Sequence, residues 1–199
     1  MKMPLVVVLI SFVLSLQAQT KAVVLGQQVW ASKNLEVDRF RDGTQIEHAI
    51  TFKDWQVAGE AKKPAWCYYK NDPVNGQKYG KLYNWYAVMD PRGLCPQGFH
   101  SPSDSEWTTL IDFLGGRDVA GTKLKSASGW LNDGNGSNES NMEGLPGGFR
   151  NSKGDYEFLG ELAVWWTSSE ASKDLSWDRG LTYRIGGVTR FEGARNVGM

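Results

Sequence analysis

Residues 79–116 read YGKLYNWYAVMDPRGLCPQGFHSPSDSEWTTLIDFLGG, and the second half of this stretch decides the fold. Ser103 and Glu106 have the spacing of a capping box, in which each side chain satisfies the other's free backbone N–H. Asp104 and Glu106 place negative charge in the first turn, where the helix dipole favours it. Trp107, Leu110, Ile111 and Leu114 follow at i, i+3, i+4 and i+7, an apolar stripe down one face, and Gly115-Gly116 supplies the stop. The spacing predicts a helix from Ser103 to Leu114. Upstream, Leu82, Tyr86 and Met89 share a face and Pro91 with Gly93 ends the run, which predicts another helix from Gly80 to Met89. The crossing between the two carries Cys95 and His100.

Outward from this stretch the signals become more β-like. Ala22 to Val37 reads as short strands broken at Gly26, and Asp42-Gly43 as a turn. Ile46 to Trp55 fits neither period, and Gly59 to Lys63 reads as a polar loop. Pro64 to Tyr69 is strand-like, closed by the turn residues of Asn71 to Gly76. Ala120 to Ala127 reads as a strand or turn. Residues 131–143, LNDGNGSNESNME, form the most polar and least periodic stretch, a long surface loop. Strand candidates follow at 156–159, 163–167, 181–185 and 188–191, with Gly186-Gly187 as a hairpin signal. Helices in the middle and antiparallel strands after them predict an α+β class.

The start, MKMPLVVVLISFVLSLQAQ, has the form of a secretory signal peptide over residues 1–18. Its uncharged core, Pro4 to Leu16, is too short to span a bilayer. The remainder, residues 19–199, is long enough for one domain with a real core. The full chain has 22 basic and 22 acidic residues, and loss of Lys2 leaves 21 against 22. That balance excludes the basic footprint of a nucleic-acid binder and any membrane-seeking charge run. Nine Trp and 23 Gly imply a loop-rich fold with large flat side chains in its core and on its surface. In an exported protein, Cys67 and Cys95 are expected to form one disulfide, with two free thiols as the alternative.

Several segments, in order, resemble the Fibrobacter succinogenes major paralogous domain: GQQVWASKNL, PAWCYYKNDPVNGQKYGKLYNWYAV, GLCPQGFHSPSDSEWTTLIDFLGG, AGTKLKSASGW, NES, LPGGFR and WWTSSE. They extend from residue 26 to about 190. The resemblance implies an exported or surface-attached bacterial protein of C-type-lectin-like fold: two helices, then a twisted antiparallel sheet with a long irregular loop. It implies no particular activity. Phe99 replaces the family's usual Trp, Asn141-Met142 its usual Gly-Phe, and FEGARNVGM its usual Val-Arg-Cys strand. A lectin-type disulfide from Cys95 to the last strand therefore has no partner.

Two sets of residues are candidates for binding. Asp133, Asn135, Ser137 and Glu139 alternate along the glycine-spaced loop and offer hard oxygen ligands for Ca²⁺, although the bidentate Glu of a calcium loop is missing. The opposing reading is a solvated loop whose polar side chains bond its own backbone. Trp130 beside the loop, and one of Trp165 and Trp166, can present a flat face to a sugar ring or peptide. Adjacent residues of a strand point to opposite sides, so only one of that pair enters the core readily. Trp30, Trp66, Trp85 and Trp107 read as core.

Support for catalysis is weaker. Formylglycine-generating enzymes share the wider fold and use a cysteine pair near the C-terminus, whereas Cys67 and Cys95 lie in the N-terminal half. A Cys95–His100 nucleophile lacks a visible third group. The two His and two Cys have no zinc spacing. The expectation is an exported, non-catalytic recognition or surface module without an obligate cofactor, binding carbohydrate or a surface protein. The runners-up are an altered formylglycine-generating-like enzyme and a structural component of an extracellular assembly.

Overall fold

The computed structural model describes residues 21–199, so the expected signal peptide lies outside the described residues. The architecture is α+β, with short helices through the middle of the chain and a three-stranded antiparallel sheet toward its end. Strands β1 (Ala22–Leu25) and β2 (Gln28–Ala31) make an opening hairpin that turns at Gly26, φ 63°. Strands β3 (Glu47–His48), β4 (Ala65–Cys67) and β5 (Leu82–Tyr83) form a small sheet, parallel between β3 and β4 and antiparallel between β4 and β5. Helix α1 (Phe52–Glu60) occupies the stretch whose periods conflict. A capping box between Thr51 and Asp54 decides it, with bonds of 2.8 and 3.1 Å.

The predicted turn at Asn71 to Gly76 is mostly helix. Asp72 accepts from the Val74 N–H and Pro73 takes the first helical position, starting α2 (Pro73–Tyr79). The predicted helix from Gly80 to Met89 is corrected in turn. Gly80 leaves the helical region at φ 80°, β5 follows, and only α3 (Trp85–Val88) is helical. The cause is tertiary: the Asn84 amide caps α3 through Ala87 N while also bonding Ala65 N and Lys63 O. That exchange ties the chain to β4 and overrides the 3.6-residue spacing.

Helix α4 (Asp104–Phe113) matches the expected capping box, apolar stripe and glycine stop. The strand-or-turn expected at 120–127 is instead helix α5 (Arg117–Leu124). It approaches the residue 186–187 backbone so closely that a Cβ on Gly121 would sit 2.2 Å from the Gly187 carbonyl oxygen. Strands β6 (Phe149–Arg150) and β7 (Tyr156–Glu157) pair as a hairpin. Strands β8 (Leu162–Glu170), β9 (Leu175–Thr182) and β10 (Thr189–Ala194) form the main sheet in the order β10-β9-β8. The expected strand at 181–185 ends at Thr182, and the β9–β10 connection spans 183–188, because Gly186 and Gly187 pack on α5 rather than forming a tight turn.

The largest apolar cluster packs α4 and α5 on the main sheet through Trp107, Leu110, Ile111, Leu124 and Leu181. A second, around Trp55 and Cys67, and a third, around Phe40, Trp66 and Tyr83, lie on opposite faces of the small sheet. Among the described residues no helix is long and apolar enough to cross a membrane.

Arg150 is 1 % exposed and donates to the carbonyls of Ala49, Thr51 and Gly154 at 2.6, 2.9 and 3.0 Å. Arg150→Ala strands these acceptors and is expected to destabilise the protein by about 3 kcal/mol or more. A urea midpoint within error of the wild type would contradict this.

Candidate functional site

A cleft of about 980 Å³ opens where β2, the 34–37 segment, the 94–102 crossing, the start of α4 and β8 converge. One wall is aromatic. Trp30 lies 5.0 Å from Trp107, and Trp107 lies 5.7 Å from Trp165, centroid to centroid. Each ring comes from a different element, so the wall exists only when hairpin, helix and sheet are assembled. Trp107 is 3 % exposed and anchors the other two from within the main cluster. Trp30 and Trp165 are only partly buried and face the cleft.

Polar side chains hold the outer indoles. Trp30 Nε1 donates to Gln28 Oε1 at 3.2 Å, and Gln28 Nε2 donates to the Glu106 carbonyl at 3.1 Å, which clips the hairpin to α4. Trp165 Nε1 donates to Asn34 Oδ1 at 2.9 Å, and Asn34 Nδ2 donates to the Tyr79 carbonyl at 2.8 Å. Gly80 is needed beside Asn34, where a Cβ would lie 2.7 Å from the Asn34 Cβ and the backbone has positive φ.

The cleft's edge is the crossing loop, which Arg41 staples by donating to the carbonyls of Cys95, Pro96 and Phe99. Here the exposed His100 meets Glu106, Nε2 to Oε1, at 2.8 Å. Burial opposes ionisation of Glu106, but bonds from the Ser103 N–H and hydroxyl and from His100 outweigh it and lower its pKa. Asp104, at the start of α4, binds Arg179 of β9 at 2.7 Å and Arg190 of β10 at 3.0 Å. Its burial works against the charge, yet the hydrogen bonds from Arg190 and Arg179 prevail and hold the carboxyl below its usual range. The helix carrying Trp107 is thereby locked to the sheet carrying Trp165.

The sequence candidates fare differently. Trp165 and Trp166 point to opposite sides, as strand alternation requires. Trp166 is buried and donates to the Tyr83 carbonyl at 3.0 Å, whereas Trp165 reaches the cleft. Trp130 does not present a free face. It is 5 % exposed, and its Nε1 donates to Ser126 Oγ at 3.1 Å and the Gly144 carbonyl at 3.2 Å, because the loop folds back over it. Trp30, read as core, forms part of the cleft wall.

In the loop itself, Asn135 Oδ1 accepts from Trp130 N, Ser137 Oγ donates to the Thr122 carbonyl, and Glu139 pairs with Lys123 at 3.5 Å. Of the four proposed calcium ligands only Asp133 has no protein partner among the described residues. Calcium takes six to eight oxygens, and this donor set does not fit it.

Cys67 and Cys95 are both free, so the expected disulfide is corrected. Cys67 is sealed in β4 beneath Arg150 and Tyr156, while Cys95 sits at the cleft edge, 3.5 Å from Ser101 Oγ. Burial pushes both thiols up, and His100 bonds Glu106 rather than Cys95, so no paired thiolate nucleophile is assembled here. Gln28 and Asn34 escaped sequence reasoning. The Gln28/Trp30 alternation on β2 was a readable hint, whereas Asn34 reaches Trp165 only through tertiary packing.

A family model described as the Fibrobacter succinogenes major domain matches residues 23–197. The chain belongs to this family. No curated protein and no solved structure matches it. The match covers every element that builds the cleft of this Fibrobacter major domain, from β2 to β8.

Intact-mass spectrometry of the native protein with N-ethylmaleimide is expected to show a single adduct, at Cys95, forming more slowly than on a free thiol because burial raises its pKa, with Cys67 modified only after denaturation. A native mass that changes on reduction would contradict the free-thiol assignment.

Proposed function

We propose that this Fibrobacter major domain is an exported, non-catalytic recognition module of C-type-lectin-like fold that binds carbohydrate in the aromatic cleft. The carrying observation is the Trp30–Trp107–Trp165 wall with the amides of Gln28 and Asn34 at its outer rings. Indole faces pack on the apolar C–H side of a sugar ring, and amides and carboxylates bond its hydroxyls. A concave apolar surface with a few oriented polar groups is the general form of a small-ligand site. The lectin-like reading draws support from the order of elements: helices α4 and α5, a long irregular connection, then the three-stranded sheet. Export rests on the signal-like segment at residues 1–18.

This reading needs no calcium, since of the loop's candidate oxygens Asn135, Ser137 and Glu139 already bond Trp130 N, the Thr122 carbonyl and Lys123, which leaves Asp133 too few companions for a calcium shell. A glycan array probed with the mature protein is expected to give the same hits in calcium and in chelator. Trp165→Ala is expected to weaken them about tenfold or more, while Asp133→Ala leaves them unchanged. Binding lost on chelation would return the site to the loop. Absence of any hit in both conditions would overturn the carbohydrate reading.

A further inference from the structure

A strand at the edge of a sheet leaves the peptide groups of every second residue without a partner strand, and two such edges border the cleft. The first belongs to the opening hairpin. The Ser32 N–H donates to the Lys21 carbonyl at 2.9 Å, which makes Lys21–Ser32, Val23–Trp30 and Leu25–Gln28 the bonded pairs. The N–H and C=O groups of Val29 and Ala31 therefore point away from β1 and have no partner among the described residues. Residues 27–31 all border the cleft, whereas no residue of β1 does. Val29 is 59 % exposed, so this edge is open rather than covered.

The second edge is β8, outermost in the order β10-β9-β8. The Tyr183 N–H donates to the Glu161 carbonyl at 3.0 Å, which turns the odd-numbered residues of β8 toward β9 and the even-numbered ones outward. On the outer side the Leu162 carbonyl accepts from the Gly148 N–H at 2.8 Å, and the Ser168 N–H donates to the Pro102 carbonyl at 2.9 Å. Val164, half-buried at the cleft, has no main-chain partner there among the described residues. The aromatic wall joins the two edges: Trp30 lies between Val29 and Ala31 in β2, and Trp165 follows Val164 in β8. Each outer indole has unpaired peptide groups beside it.

We propose that the ligand of the cleft is a sugar bearing an acetamido group, an N-acetylhexosamine, an inference that rests on the carbohydrate reading of the cleft. The open groups at both edges are peptide N–H and C=O, and an acetamido group is itself a planar amide with one N–H and one C=O. Its carbonyl accepts from an edge N–H, while its own N–H, pointing the opposite way, is free for a second acceptor. Its methyl adds an apolar contact to the adjacent indole face. A hydroxyl on the same carbon can bond the edge but brings no methyl. An unsubstituted ammonium brings donors only and leaves the N–H groups of Val29, Ala31 and Val164 unanswered.

The test is an NMR titration of the mature protein with the methyl β-glycosides of N-acetylglucosamine and N-acetylgalactosamine, and with their 2-hydroxy and 2-amino counterparts. At least one acetamido glycoside is expected to shift the amide signals of Val29, Ala31 or Val164 saturably and to slow their exchange with solvent. The counterparts are expected to bind about tenfold or more weakly, through loss of one hydrogen bond and the methyl contact. Ala31→Pro removes one outward donor that the hairpin ladder does not use, and is expected to weaken the acetamido glycoside about threefold or more. Equal binding of an acetamido glycoside and its hydroxyl counterpart would overturn this inference and leave the carbohydrate reading standing. So would glycan-array hits confined to sugars without an acetamido group. Saturable shifts confined to residues outside the two edges, or no shift with either acetamido glycoside, would overturn it as well, and an array without hits would remove both readings. Selectivity among the wild-type titrations decides the question even if Ala31→Pro fails to fold.

Discussion

The burial of one cation, Arg150, is the constraint on which the N-terminal half of this structure depends. Its guanidinium lies between the rings of Trp55 and Tyr156, at 4.9 and 4.8 Å, and bonds the carbonyls of Ala49 and Thr51 just ahead of α1. No carboxylate neutralises it among the described residues. Carbonyl dipoles and ring faces instead offset the loss of hydration, which the fork of an arginine can exploit and a lysine cannot. Its backbone exchanges hydrogen bonds with Gly198 in both directions, at 2.9 and 2.8 Å. One residue thus joins the start of α1, the β6–β7 hairpin and the last turn of the chain.

That closure places the sheet. Met199 pairs with the Tyr83 backbone, and Trp166 and Trp85 donate to the carbonyls of Tyr83 and Thr167 respectively, so β5 with α3 and β8 are pinned to each other through indoles. With Trp166 held on the inside, strand alternation leaves Trp165 facing the cleft. The Asp104–Arg179–Arg190 network fixes α4 from the other side. Between them these contacts hold the three indoles of the aromatic wall, which come from hairpin, helix and sheet, against one another.

The same alternation makes the sheet two-faced. Odd-numbered positions of β9, such as Arg179 and Leu181, serve the cleft side and its core. Even-numbered positions, Asp178 and Gly180, lie on the other face beside Trp166 and Val164 of β8.

What the sequence determined by itself was local: helix α4, whose capping box and stripe lie within a dozen residues, the break at Gly26, the opposition of Trp165 and Trp166, and the α+β order. These depend on bonds between near neighbours and on strand geometry. Tertiary structure decided the rest. Asn84 turned a helical pattern into strand and single turn by bonding Lys63 and Ala65, and contact with Gly186–Gly187 accompanies the helix at α5. Trp130 disappeared under its own loop, and Cys67 and Cys95 stayed apart because β4 seals one thiol in the core while the Arg41 staple holds the other at the cleft edge. The cleft itself combines Trp30, Trp107 and Trp165 from positions far apart in the chain. No periodicity or spacing encodes such an encounter, because long-range packing alone sets the distance between those rings.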